Sequence, residues 1–195
     1  MSRIPPSAPS ELKGDQKKAH DEMASIADDI FGDTFVYKRD DGALVGPFAP
    51  LIHTPAMAPL FMHQAVEMGK IPGLPQKARE TAILTTGSYF KAAYEIYAHE
   101  KVAVAKTELT RDQVKKITSG EKPDDLDEEC SIAFDTAMEL VKKPGPLSKQ
   151  NWDRLNKAFG QQGALALIHF VGYYCYTCVL LNGCDVPVPD GEKKM

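Results

Sequence analysis

Residues 163–181, "GALALIHFVGYYCYTCVLL", form an uncharged apolar run that any fold of this chain has to accommodate. A helix of about 20 such residues is long enough to span a bilayer. The run nevertheless carries His169, three tyrosines and two cysteines, and its close flanks lack the basic anchors of a membrane span. It is therefore expected to be the central buried helix of a protein that does not enter a membrane. The chain's 195 residues fit one domain, and 43% hydrophobic and 26% charged residues are ordinary for a globular protein.

Upstream, apolar residues recur at helical spacing and Gly or Pro breaks separate the segments. Leu12, Ala19, Met23, Ile26, Ala27 and Ile30 predict a helix from Glu11 to about Phe31, ending near Gly32. "GDTFVYKRDDGALVGPFAPLIH" reads as extended, with a turn at Asp41-Gly42. It either forms a short hairpin or lies across helices. Thr54 and Pro55 are expected to open a helix running to about Gly69. After the break "IPGLP", a helix from Gln76 reaches Thr86, with Gly87-Ser88 as an interruption before a second helix to about Lys106. "TRDQ" at 110–113 is a capping-box signature. Further helices are expected over about 125–142, 148–159 and 161–182. Strand patterns are scarce, so the predicted class is all-α: a flexible arm at 1–10, one domain at 11–190 and a tail at 191–195.

A net charge of −4 and a pI near 5.7 exclude non-specific nucleic-acid binding, which needs a basic face. No charged-then-apolar leader opens the chain, so a cytoplasmic protein with reduced Cys130, Cys175, Cys178 and Cys184 is expected.

"YEIYAHE", residues 94–100, places Glu95 and His99 four residues apart, on one helix face. Three readings are open. The pair can be an exposed ion pair worth a few tenths of a kcal/mol, roughly. It can be an acid/base device, in which a carboxylate orients an imidazole and raises its pKa. It can be half a metal site, but a zincin needs a second histidine one turn away and a di-iron bundle needs Glu-x-x-His on separate helices. Neither pattern occurs, so no metal is expected. Without a Gly-rich phosphate loop, no nucleotide cofactor is expected either.

The longer stretch "GLPQKARETAILTTGSYFKAAYEIYAHEKVAVAKTELTRDQVKKI" resembles the carboxymuconolactone decarboxylase family, relatives of the alkylhydroperoxidase D proteins. The matching elements are Leu74, Lys77, Arg79-Glu80, "TAIL", Gly87, Tyr94-Glu95, His99 and "LTRDQV", and the resemblance spans roughly residues 40–190. It implies an alkylhydroperoxidase D-like helical bundle that assembles as a homo-oligomer, a trimer or hexamer. It also implies a cofactor-free site in which Glu80, Glu95 and His99 are catalytic and His53 and Tyr94 contact a small-molecule substrate. The peroxidase branch carries Cys-x-x-Cys-x-x-x-His; counting back from His99, its thiol positions hold Ala92 and Glu95. This constellation can move protons but not electrons.

Other candidates have structural readings beside functional ones. Cys175-Tyr-Thr-Cys178 is a Cys-x-x-Cys in an apolar helix, where buried cysteines act as small hydrophobes. His169 is expected to be hydrogen-bonded in the core or at an interface, and His20 and His63 to be structural. Arg79 either clamps a substrate carboxylate or joins subunits; the second is favoured because adjacent helical residues point about 100° apart. The expected activity is lyase-like acid/base chemistry on a small carboxylated lactone or related enolisable compound. The alternatives are an isomerase, cyclase or dehydratase on the same trio, and a non-catalytic oligomeric binding protein.

Overall fold

Local side-chain chemistry sets where several helices begin. Thr110 accepts a hydrogen bond from the Gln113 N–H while the Gln113 side chain accepts one from the Thr110 N–H, as "TRDQ" predicts. Asp127 accepts from the Cys130 N–H, and Ser148 from the Asn151 N–H. The structure, a computed structural model, describes residues 2–193; of the expected tail, 194 and 195 lie outside the described residues. The helices are α1 (Gly14–Phe31), α2 (Phe48–Leu51), α3 (Ala58–Gly69), α4 (Gln76–Phe90), α5 (Ala93–Lys106), α6 (Arg111–Thr118), α7 (Glu128–Lys142) and α8 (Lys149–Gly183). Among the described residues the only β pairing is an isolated antiparallel bridge between Lys38 and Leu44. The all-α class holds. The Asp41-Gly42 turn exists, and the buried His20 ties it to α1 through the Gly42 carbonyl, 3.0 Å from Nε2.

Helix α4 is the centre of the assembly, packed against α5, α6, α7 and α8. Its buried hydroxyls Thr81, Thr85 and Thr86 donate to carbonyls four residues earlier, so these three cross the core without unpaired donors. One apolar cluster joins α1, α3, α5 and the second half of α8 through Met23, Phe61, Tyr94 and Phe170. A second fills the space between α4, α7 and α8 with Ala82, Ala133, Leu155 and Leu167. The third sits under α6 with Leu84, Val114, Ile117 and Phe134.

Gly160 (φ 65°, ψ 176°) is non-helical, so α8 is two helices joined at a kink, as expected at 148–159 and 161–182. Just beyond it the loop before α4 crosses α8 at closest approach: a Cβ on Gly163 would stand 2.5 Å from the Gly73 carbonyl oxygen. That crossing fixes the start of α4 on α8. By length and composition α8 could cross a membrane, and half of its most apolar window is buried inside this chain. Leu167 and Val171 face the second cluster, while Leu165, Tyr176 and Val179 are exposed on the outer face. His169 shares that exposed face and is not a core residue of this chain.

Two boundaries and the N-terminal arm differ from the expectation. Thr54 does not cap α3; residues 54–57 make a turn closed by the Met57 N–H on the Thr54 carbonyl, and the helix starts at Ala58 with Pro59 in its first turn. Helix α4 runs straight through Gly87-Ser88 to Phe90. It stops in a Schellman motif, with Lys91 left-handed at φ 52° and the Ala92 and Lys91 N–H groups bonded to the Gly87 and Ser88 carbonyls. Finally, the N-terminal arm is not loose near its start: the Arg3 N–H donates to the Cys184 carbonyl at 2.8 Å and its guanidinium to that of Gly183 at 2.9 Å.

Candidate active site

The Schellman turn at Lys91 folds α5 back beside α4, which brings residues from the two helices face to face. Glu80 from α4 and His99 from α5 meet there, the Glu80 Oε2 lying 2.7 Å from the His99 Nδ1. Glu95, one turn before His99, places its Oε1 3.1 Å from Nε2. The imidazole is thus held between two carboxylates. Side-chain exposures of 3%, 5% and 14% for Glu80, Glu95 and His99 show that this is no solvated helix pair. The two contacts are unequal: Glu80 makes an aligned hydrogen bond, whereas Glu95 Oε1 is at ion-pair distance but off the line of a hydrogen bond, buried without such a partner.

The electrostatics follow from burial. Removal from water pushes the Glu95 carboxyl up to about 7, aided by the Glu80 charge and opposed by His99. Burial opposes charge on His99, but Glu80 and Glu95 together outweigh it and raise its pKa above the ordinary value. A carboxyl that exchanges its proton near neutrality and an imidazole favoured as a cation are therefore in contact. This is the arrangement expected of a general acid/base pair.

These groups sit in the wall of a cavity of about 450 Å³ whose remaining wall comes from α1, α3, α8 and the loop before α2. Tyr174 of α8 meets the His99 ring edge-on, centroids 4.9 Å apart, and burial raises its hydroxyl pKa well above the usual value, so it stays neutral. Phe170, one turn earlier, lies under the Arg79 guanidinium, 5.4 Å from ring centroid to Cζ. Arg79 Nε is 3.7 Å from the Glu80 Oε1.

The structure therefore brings Glu80, Glu95 and His99 together and adds residues the sequence had set aside. Arg79 lines the cavity: a side chain this long curls back across the 100° that separates it from Glu80. Tyr94 also lines the cavity, but its hydroxyl is committed to the Val36 carbonyl at 2.8 Å. Tyr97 accepts from the Val36 N–H at 3.0 Å, so two α5 tyrosines clamp the loop that carries Phe35 over the cavity. Gly46 is needed beneath them, because a Cβ there would stand 2.2 Å from the Tyr94 ring. The expected substrate contact of Tyr94 is limited to its ring.

His53 is not brought to this cavity. The short α2 buries Leu51 and Ile52, the next residue turns outward, and the exposed His53 ring stands 3.5 Å from the Gln16 amide. Phe170, Tyr173, Tyr174 and Thr177 were missed, although their i, i+3, i+4, i+7 spacing in α8 marks one helix face. No cysteine is among the described residues that line the cavity. Cys178 is buried and Cys175 half-buried, and burial raises both thiols above their ordinary pKa, as a structural Cys-x-x-Cys requires. No group of three His, Cys, Asp or Glu side chains among the described residues could hold a metal ion.

No family model and no curated protein matches the sequence. Solved structures do match in shape. An uncharacterized peroxidase-related protein from Ralstonia eutropha JMP134, described as an alkylhydroperoxidase AhpD core, superposes with a TM-score of 0.75 at 17% identity, covering 97% of this chain and 93% of that one. The fold is that of the AhpD core. The debrominase Bmp8 without ligand shares this AhpD-like fold, with a TM-score of 0.72, 13% identity and coverage of 96% and 92%. A Bmp8 variant with alanine in place of a cysteine, in complex with 2,3,4-tribromopyrrole, gives 0.71, 14%, 96% and 91%. The resemblance of the sequence to the alkylhydroperoxidase D-like superfamily thus holds at the level of fold.

Proposed function

We propose that this protein is an enzyme that moves protons at a carbon acid, resembling the carboxymuconolactone decarboxylases in chemistry as well as in motif. The observation that carries this reading is the buried Glu80–His99–Glu95 chain opening on an apolar cavity. Glu80 anchors the imidazole, and Glu95, with its raised pKa, is the group best placed to exchange a proton with a bound compound. His99 shares that proton and keeps Glu95 supplied. This exchanges the roles that the i, i+4 spacing alone suggested, in which His99 acted and Glu95 oriented it.

For a carboxylated lactone, the carbon–carbon bond to the carboxylate breaks and its electron pair delocalises into the ring as a dienolate. Carbon dioxide leaves, and a proton from the Glu95–His99 pair goes to carbon. A proton shift without loss of carbon dioxide uses the same two groups, one taking and one returning the proton. The debrominase and the peroxidase-related protein share the fold, but with no thiol on its cavity wall this chain is read as a proton-transfer enzyme and not as a redox enzyme. Assembly as a homo-oligomer through the exposed apolar face of α8 belongs to the same reading, as does a cytoplasmic location.

The test is incubation in deuterium oxide with a panel of carboxylated lactones, cyclic β-keto acids and enolisable ketones, reading deuterium at carbon by NMR. Wild type is expected to label at least one class. His99→Asn and Glu95→Gln should lower the rate by about a hundred- to ten-thousand-fold, the usual weight of a general acid/base. If wild type labels nothing, or if both variants label at its rate, the proton-transfer reading fails and the non-catalytic binding protein replaces it.

A further inference from the structure

The charges on the cavity wall are sorted by depth. The two carboxylates, Glu80 and Glu95, are buried in the interior. The charged residues toward the rim, Lys70, Arg79 and Lys106, are all cationic, on a chain whose net charge is −4. Lys70 is held by Glu67 at 2.6 Å and Lys106 reaches the Ile30 carbonyl at 3.3 Å. Arg79 is different. Its Nε is near Glu80, which His99 already engages, and among the described residues its terminal nitrogens make no hydrogen bond. A half-buried guanidinium with free donors, facing a cavity, is a seat for a planar anion.

The rest of the wall sets the other half of the ligand. Phe61, Phe170, Tyr173 and Tyr174 form connected ring contacts on one side, and Phe31 packs on Phe35 on the other. A cavity of about 450 Å³ walled in this way takes an apolar body larger than a small dicarboxylate, and a second carboxylate placed among these rings, away from the rim cations, would lose its hydration without a partner.

We propose that the ligand is a monocarboxylate with a bulky apolar, ring-containing body, its carboxylate on Arg79 and its body among the α8 aromatics. This deepens the proton-transfer reading and rests on it for the chemistry, but not for the binding. Arg79 reaches Glu80, and Glu80 reaches His99, so a carboxylate on Arg79 presents the carbons next to it to the Glu95–His99 pair. The carboxylate held there is one that the reaction retains, because a guanidinium stabilises the very charge that its loss as carbon dioxide would remove, so of the two reactions above a monocarboxylate undergoes the proton shift without loss of carbon dioxide.

The experiment uses three probes with the full chain at low ionic strength: 2-naphthylacetate, the uncharged 2-naphthylacetamide, and succinate. Titration calorimetry is expected to show the acid at least tenfold tighter than the amide, and no saturable binding of succinate. Arg79→Met should bring acid and amide within twofold while leaving the amide where it was. Arg79→Lys should keep part of the preference, and salt should erode it. Should Arg79→Met fail to fold, the lysine variant and the salt series carry the same comparison. Equal binding of acid and amide to wild type, a preference that survives in Arg79→Met, succinate as the tightest ligand, or no binding of any probe would overturn the proposal. Deuterium exchange that persists alongside such a result would leave the proton-transfer reading standing, and Arg79-dependent binding without any exchange would do the reverse.

Discussion

If Glu95 is a buried carboxyl that holds its proton up to about pH 7, replacing it with glutamine should change how stability depends on pH. The sign follows from linkage: folding keeps a proton on Glu95 that the unfolded chain releases above its model value of 4.5. The full stability is therefore present below pH 4.5 and is lost progressively as pH rises to about 7, beyond which the charged carboxylate stays buried at a fixed penalty. Each pK unit is worth roughly 1.4 kcal/mol, so the rise from 4.5 to about 7 corresponds to about 3 kcal/mol. That is a large share of a net stability that is typically about 5–15 kcal/mol. His99, whose pKa Glu80 and Glu95 both raise, loses its contribution in the same direction, and the variant keeps only the part that Glu80 supplies.

Glutamine keeps the shape of the protonated acid and cannot ionise. Near pH 4.5 the Glu95→Gln variant should match wild type closely. By pH 8 it should be the more stable protein by about 3 kcal/mol, the whole linkage contribution of Glu95. Urea unfolding followed by far-UV circular dichroism at half-unit pH intervals reads this directly, and side-chain carboxyl carbon NMR should find one glutamate with a midpoint near 7. The reasoning is refuted if the two stability profiles stay parallel from pH 4.5 to 8, or if every glutamate titrates in the ordinary range.

Three other outcomes can be checked. Gly163→Ala should destabilise by about 2–4 kcal/mol in thermal or urea unfolding, since the new Cβ would meet the Gly73 carbonyl at 2.5 Å and backbone has to move. Thiol-dependent peroxide reduction should not exceed background; robust turnover lost in Cys175→Ser would overturn the structural reading of the half-buried Cys175 and the buried Cys178. Light scattering at micromolar concentration should give a mass above the 21.4 kDa of one chain, and a monomer would count against assembly through Leu165, Tyr176 and Val179.

What the sequence disclosed tracks how local each feature is. The Thr110–Gln113 capping box and the break at Gly160 were legible because their signals lie within four residues of the structure they make. The end of α4 was misplaced because Gly87 is the more obvious breaker; the left-handed residue is Lys91, and nothing in a lysine announces that conformation. Within the site, Glu95 and His99 were legible as a helix pair. Glu80 lies 19 residues from His99, so it entered through the motif resemblance alone. Arg79 and His53 lie where the direction of Cβ and the motif position did not place them. One has a side chain long enough to escape the direction of its Cβ, while the other follows a four-residue helix whose register turns it outward.

The Glu95–His99 pair also shows how one spacing acquires different chemistry from its surroundings. On a solvated face, Glu and His at i and i+4 would titrate near their ordinary values and contribute little. Here α8 covers them with Tyr174 and α4 adds a second carboxylate, so the imidazole is favoured as a cation while one carboxyl is driven toward neutrality. The two shifts have different causes, ion pairing for His99 and burial for Glu95, and both favour the protonated form. A thiol at position 95 would face the same imidazole and could form a bond to sulfur or pass electrons. The carboxylate that stands there gives and takes protons but carries no redox chemistry, and the lack of thiols at both positions 92 and 95 is what separates the proposed chemistry of this chain from that of a thiol peroxidase.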